Sequence, residues 1–449
     1  MAIKCAFVSL GCPKNQIDSE IMLAKLAESG IEIVEEDIYA DVVVINTCAF
    51  IESAKKEAIE TILDVDWLRK NRNLKGIVVC GCLVQRYKDE LFKELPEVDA
   101  AIGVGNLDNI VEAVKSAYEN GGKKDAPKYC CVTDAASQKL GGDRVVTTPE
   151  YSVYLKISEG CDKHCTYCVI PSIRGPFRSR PIEDIVAEAK EMADIGAREL
   201  IIVSQDTVSY GKDLYGKPSL EILLRKLCKI EKLKWIRLLY CYPEDITESL
   251  AKTIAEENKI VKYIDMPIQH ASDRILKLMN RKGDSAMIRE KIKLLRDTIP
   301  GLTLRSTVIV GFPTETKEDF AVLAEFLKEV KFERLGVFAF SCEEGTPAAK
   351  ITEGIVSEKT KQKRLDTLMQ NQYVIHEANN RKMIGKVIEV LCEGYDRPSG
   401  VYYGRSAADA PDIDGKVYIR SARKIAEGEF VNVKIAEVID YDLLGDTII

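Results

Sequence analysis

Short apolar runs of strand length recur along this chain, separated by stretches in which apolar residues return every three or four positions. In the first region, about 1 to 120, the runs are CAFVSL, DVVVIN, GIVVCG and AAIGVG, and amphipathic segments such as SEIMLAKLAESG and SAKKEAIETILDV stand between them. That alternation predicts an α/β unit, a small parallel sheet flanked by helices. Residues 121 to 150 are rich in Gly, Pro, Ser and Thr and read as a linker. From 151 to 383 the alternation resumes on a larger scale. YSVYLKIS, ELIIVS, KWIRLLY, KYIDMPI, TLRSTVIVG and RLGVFAF are six candidate strands, and PIEDIVAEAKEMADIG and TKEDFAVLAEFLKEV are the clearest of the helices that follow them. Six such units predict a partial, TIM-like (βα)6 barrel whose site lies at the carboxyl ends of its strands. From 384 to 449 the period shortens to two in KVIEVLCEGY, GVYYGRS, KVYIRSA and FVNVKIAEVID, which predicts a small antiparallel β-barrel of OB-like kind.

Composition adds limits. A hydrophobic share of 46% beside 30% charged residues leaves ample core for several domains in 449 residues. The amino-terminal MAIKCAFVSLGC is a poor export signal, and no run approaches the ~18 apolar residues of a membrane span. Fourteen cysteines without an export signal point to a reducing compartment, so the cytoplasm is expected and no membrane. A net charge of −7 makes nucleic acid an unlikely direct substrate and permits a basic protein partner. The last region carries eight Lys and Arg against twelve Asp and Glu from Lys386 onward. Asp409, Asp412 and Asp414, in the stretch SAADAPDIDG, are expected as exposed charges that draw in such a partner.

The cysteines carry the chemistry. Cys161, Cys165 and Cys168 follow the first barrel strand in EGCDKHCTYC, where three close thiolates suit an iron–sulfur cluster or, with His164, a zinc ion. Cys12, Cys48 and Cys82 each follow a strand of the first region. A parallel sheet ends all its strands on one edge, so these three should also converge, and three thiolates again suggest a cluster with one iron open. The other eight cysteines read as core or incidental thiols, His376 as structural, and His270 as a residue that could line the cavity.

The spacing C-x3-C-x2-C ahead of six βα units resembles the radical S-adenosylmethionine superfamily. The whole arrangement resembles the methylthiotransferase family: an amino-terminal methylthiotransferase domain (1–120), a radical core (151–383) and a TRAM barrel (384–449). LGCPKNQIDSE around Cys12, IDMPIQHASDRILKLMNR, VFAFSCEEGTPAA and GRSAADAPDIDG are similar to the branch that modifies ribosomal protein S-twelve of the small subunit. Cys342, within the third of these stretches, stands where a polar residue other than cysteine is expected.

The resemblance implies two 4Fe-4S clusters, with S-adenosylmethionine filling the open iron at Cys161, Cys165 and Cys168 and yielding a 5′-deoxyadenosyl radical on reduction. It implies a sulfur held at Cys12, Cys48 and Cys82, and transfer of a methylthio group to the β-carbon of an aspartate. Gln205, Arg305 and Gly311 are the implied contacts to S-adenosylmethionine, and a flavodoxin or ferredoxin the implied electron donor. The rivals are a transfer-RNA methylthiotransferase, which shares the six cysteines, and a non-catalytic iron–sulfur protein that docks on the ribosome.

Overall fold

Val42–Thr47 and Gly76–Gly81 are buried at every position, as strands covered by helices on both faces must be. In the computed structural model, which describes residues 2–123 and 126–448, they are β3 and β4 of a six-stranded parallel sheet. Its strands are β1 (Lys4–Ser9), β2 (Glu32–Ile33), β3, β4, β5 (Ala100–Ile102) and β6 (Tyr129–Cys131), in the order β2-β1-β3-β4-β5-β6. Two of these have no counterpart in the apolar pattern. β2 is two residues long, and β6 lies within the expected linker, where its exposed or half-buried YCC joins β5 as an edge strand. The rest of that stretch is tied down rather than loose. Arg144 pairs with Glu20 and Glu188, and the N–H and hydroxyl of Thr147 both donate to Glu20 at 2.9 Å.

The core domain contains β7 (Ser152–Lys156), β8 (Ser158–Glu159), β9 (Arg178–Ser179), β10 (Glu199–Val203), β11 (Trp235–Leu238), β12 (Ile260–Asp265), β13 (Thr303–Val310) and β14 (Arg334–Ala339). Six of these form the parallel sheet β14-β13-β12-β11-β10-β7, while β8 and β9 make a short antiparallel clip. Helices cover the convex face through residues such as Ile185, Leu223, Ile254, Leu295 and Phe326.

The concave face is closed by the other two domains. Its Tyr154, Ile201, Val203, Trp235 and Tyr263 pack against Ile17 and Ile21 of the helix Pro13–Glu28, and against Leu391 and Ala410 of the carboxyl-terminal domain. The first helix of the amino-terminal domain thus sits inside the half-barrel, which brings the loop before it to the barrel's site.

The carboxyl-terminal strands β15 (Val387–Asp396), β16 (Val401–Ser406), β17 (Val417–Arg420), β18 (Phe430–Ile439) and β19 (Asp442–Thr447) close a five-stranded barrel. Its pairs are antiparallel except β17 with β19, and that parallel pair completes the ring. The helix Glu358–Arg381 runs between core and barrel, and His376 on it is buried there, 2.9 Å from the carbonyl of Tyr441.

The loop aspartates correct the expectation drawn from charge. Only Asp412 is exposed. Asp409 is 2% exposed and pairs with Arg334 at 2.6 Å; Asp414 accepts from the Tyr263 hydroxyl at 2.6 Å and lies 3.7 Å from Arg305. These carboxylates fasten the barrel to the core, because half-buried Arg334 and Arg305, largely withdrawn from water, need counter-charges. Asp409→Ala is expected to lower stability by about 3 kcal/mol in urea denaturation, whereas Asp412→Ala stays within about 0.5 kcal/mol. Equal effects would show that Asp409 carries no share of the joint.

Candidate active site

The loops after β1, β3 and β4 bring Cys12, Cys48 and Cys82 together, as the strand-end argument requires. Leu10 N–H donates to the Asn46 carbonyl at 2.9 Å, Asn15 Nδ2 donates to the carbonyls of Leu10 and Thr47, and Thr47 Oγ1 donates to the Cys80 carbonyl at 2.6 Å. Two glycines make this approach possible. Gly11 has φ +91° and a Cβ there would stand 2.7 Å from Cys48 Cβ; at Gly81, φ +90°, it would stand 2.2 Å from Asn46 Oδ1. Cys48 feels the charge of Cys12, and Cys82 that of both. Burial pushes Cys82 up to about 12, against the pull of Arg174, and burial also raises Cys48.

Cys161, Cys165 and Cys168 lie in a loop held from several sides. Cys161 N–H donates to the Gly175 carbonyl at 3.2 Å, Cys168 N–H to the Cys165 carbonyl at 3.0 Å, and Ile170 N–H to Cys168 Sγ at 3.4 Å. Arg281 stacks over Tyr242, 4.4 Å from the ring centre, with Nη1 3.8 Å from Cys165 Sγ. Burial pushes Cys161 up to about 11 and Cys168 to about 12. His164 is exposed, with φ 50°, and does not complete a zinc site with these thiols.

Between the trios lies a buried ionic network that the sequence reading missed. Lys156 Nζ stands 2.5 Å from Asp18 and 2.8 Å from Glu159; Arg174 stands 2.5 Å from Asp18 and 3.3 Å from Glu159. All four side chains are at most 2% exposed. Burial alone would raise Glu159, but Lys156 and Arg174 outweigh it and hold the carboxyl at about 2. Arg174 also donates from Nη2 to Cys82 Sγ at 3.4 Å and to Asn15 Oδ1 at 3.0 Å. The residue after it, Gly175, receives the N–H of Cys161. The pair Arg174–Gly175 therefore touches both trios, the side chain at Cys82 and the backbone at Cys161. The signals lay in plain view, Glu159 two residues before Cys161 and Arg174 six after Cys168, but charge alone does not say that a residue is buried.

The three implied cofactor contacts separate. Gln205 donates from Nε2 to Glu159, at the strand-end layer beside Cys161, and its Oε1 has no partner. Arg305 is engaged with Asp265 at 2.9 Å and with Asp414 of the barrel. At Gly311 the space of a Cβ is taken by Lys361 Cγ, at 2.3 Å, and the N–H donates to Glu315. Burial pushes fully buried His270 down to about 4; its Nδ1 accepts from Ser272 N–H, and its Nε2 has no hydrogen bond but lies 3.8 Å from Glu315. Of the remaining cysteines, Cys5, Cys80, Cys241 and Cys392 are buried core thiols, while Cys130 and Cys342 are exposed.

The donor sets fit iron–sulfur clusters. Cys12, Cys48 and Cys82 sit on three converging loops and Cys161, Cys165 and Cys168 on one, and each trio has an arginine beside one thiol (Arg174 or Arg281) to balance thiolate charge. Among the described residues no three His, Cys, Asp or Glu side chains close on a single metal ion. Three thiols without a fourth protein ligand are a donor set that suits an iron–sulfur cluster with one iron open. The unpaired Gln205 Oε1 is an acceptor beside the second trio for a ligand carrying N–H or O–H groups.

Comparisons with known proteins agree with this arrangement. Residues 4–103 match the family described as uncharacterized protein family UPF0004, residues 155–327 the radical SAM superfamily, and residues 384–448 the TRAM domain. The fold resembles the radical S-adenosylmethionine methyltransferase TsrM from Kitasatospora setae, with a TM-score of 0.56 and 13% identity over 78% of this chain and 77% of that one. Relatives named ribosomal protein uS12 methylthiotransferase RimO match end to end. The one from Pelotomaculum thermopropionicum is 49% identical over 100% of both chains, and the one from Acetivibrio thermocellus 48% over 100% of this chain and 99% of its own. The protein is accordingly a radical S-adenosylmethionine methylthiotransferase, and the chain belongs to the RimO family.

Proposed function

We propose that this enzyme replaces a hydrogen on the β-carbon of an aspartate in ribosomal protein uS12 by a methylthio group. The observation that carries the reading is Arg174. It touches Cys82 while its neighbour Gly175 holds the Cys161 backbone, so the two trios serve one reaction rather than two separate ones. Cys161, Cys165 and Cys168 hold the cluster that engages S-adenosylmethionine, and Cys12, Cys48 and Cys82 the other. When bound, these groups supply a 5′-deoxyadenosyl radical at the first trio named and a transferable sulfur at the second.

The chain's own residues provide placement and dryness. Glu159 stays ionised between Lys156 and Arg174 and fixes Gln205 beside the radical-forming site. The helix Pro13–Glu28 and the carboxyl-terminal barrel fill the concave face and keep water from a reactive intermediate. The full-length match to relatives whose name carries uS12 supports that substrate, as does the acidic charge of the chain against a basic partner. The reaction belongs in the cytoplasm, with a flavodoxin or ferredoxin as electron donor and no nucleic acid as direct substrate.

Mass spectrometry of ribosomal proteins and transfer RNA, from cells with and without this gene, tests the reading. A mass gain of SCH2 on an aspartate of uS12, present only with the gene, is expected. The same gain confined to transfer RNA would move the enzyme to the rival branch.

A further inference from the structure

Lys14 is the second residue of the helix Pro13–Glu28, two positions after Cys12, and it is only 6% exposed. Lysines this buried are ordinarily paired with a carboxylate. Its neighbours Lys156 and Arg174 are so paired, with Asp18 and Glu159, two cations against two anions. Among the described residues no Asp or Glu forms an ion pair with Lys14. Its Nζ lies over the ring of Tyr240 instead, 3.3 Å from the centre. Tyr240 follows β11 at the carboxyl end of the barrel strands. It is held at φ 62°, with its N–H donating to Asp265 Oδ2 at 3.0 Å and its carbonyl accepting from Thr207 N–H at 3.1 Å. A non-glycine residue in that conformation is strained, and such strain gathers where a side chain must be presented.

We propose that Lys14, steadied by Tyr240, is the residue that recognises the side-chain carboxylate of the substrate. The proposal rests on the aspartate reading above and adds the group that reads it. An ammonium lying over an aromatic face is favoured by the cation–π contact and, having three donors, keeps some of them for an incoming anion. Lys14 stands two residues after Cys12 and reaches over Tyr240 at the carboxyl ends of the barrel strands, so a carboxylate bound there lies where the amino-terminal helix meets the barrel's strand ends. A neutral amide in the same position would accept one hydrogen bond but forfeit the charge pairing. The site therefore discriminates aspartate from asparagine.

The test uses the reconstituted holoenzyme, purified uS12, and uS12 carrying Asn at the residue the enzyme modifies. Wild type should favour the Asp protein by about a hundredfold in kcat/KM, the scale of a buried charge pair. Lys14→Gln should remove most of that ratio and Lys14→Arg, which keeps the charge, should retain much of it, with iron content equal in all three. Non-covalent binding of uS12, followed by fluorescence anisotropy, should show the same loss for Lys14→Gln with the Asp protein alone. An unchanged Asp-to-Asn ratio in Lys14→Gln would overturn the role of Lys14, and so would loss of the iron held by the first trio, since Lys14 would then serve Cys12 and its cluster. If wild type itself attaches nothing to uS12, the aspartate reading falls and takes this inference with it.

Discussion

Cys12→Ala, Cys48→Ala and Cys82→Ala are each expected to abolish methylthio transfer while reductive cleavage of S-adenosylmethionine continues, whereas Cys161→Ala stops both. The asymmetry follows from where the thiols sit. Cys161, Cys165 and Cys168 are held by the core domain's own loop, through Gly175, Thr166 and Arg281, and none of those contacts passes through the other trio. Cys12, Cys48 and Cys82 hang on the amino-terminal sheet, tied by Asn15, Asn46 and Thr47. Removing one thiol of a trio costs that cluster a ligand and leaves the other set intact. Wild type should carry on the order of eight irons per chain, and a variant lacking a whole trio on the order of four. Iron analysis with counts of 5′-deoxyadenosine and of methylthiolated product separates the cases. A Cys82→Ala enzyme that still forms product at the wild-type rate would sink the assignment of that trio.

Glu199→Gln should be the most damaging substitution outside the cysteines. Glu199, fully buried on β10, accepts from Arg237 Nε at 2.9 Å and from Arg405 Nη2 at 2.7 Å, and the Ser152 hydroxyl donates to it at 2.9 Å. Arg237 lies on the core and Arg405 on β16 of the barrel, so one carboxylate joins two domains. A neutral amide leaves buried Arg237 without a counter-charge and Arg405 with only the partly exposed Glu393, 2.7 Å away, at a cost of about 3–5 kcal/mol. The pH dependence gives a second readout. Burial would raise Glu199, but Arg405 and Arg237 prevail and hold it at about 2, below its ordinary 4.5. A carboxyl depressed on folding stabilises the protein above its unfolded value, and that contribution is lost as pH falls through the folded one. The gap between wild type and Glu199→Gln should thus be widest above pH 4.5 and shrink toward pH 2, in thermal denaturation followed at several pH values. A gap that is constant over that range would mean the loss comes from packing, not charge.

The same joint explains why the barrel's aspartates do not behave as solvated charges. Asp409 and Asp414 face Arg334, Arg305 and Tyr263 of the core, and only Asp412 remains available to a partner in solution. The acidity of the domain is real, but Asp409 and Asp414, two of its twelve acidic residues, are turned to the core.

Local pattern determined a good deal by itself. All six core strands, four of the amino-terminal strands and four of the barrel strands stand where apolar runs predicted them, because each run is long enough to bury a face. The convergence of Cys12, Cys48 and Cys82 was legible because a parallel sheet delivers its strand ends to one edge, and the grouping of Cys161, Cys165 and Cys168 because close spacing puts them in one loop. What tertiary structure alone decided is the set of contacts made between domains. β2 and β6 are two- and three-residue edge strands that carry no burial signal, and β19 joins a ring whose closure depends on four other strands. Lys156, Arg174, Glu199 and Lys14 look in the sequence like any surface charge. They became buried because the helix Pro13–Glu28 and the barrel were folded into the half-barrel's open face, and a charge there must be paired by a residue from another domain or, at Lys14, wait for one. Hydrophobic periodicity reports which face of an element is covered, and it is silent on which element covers it.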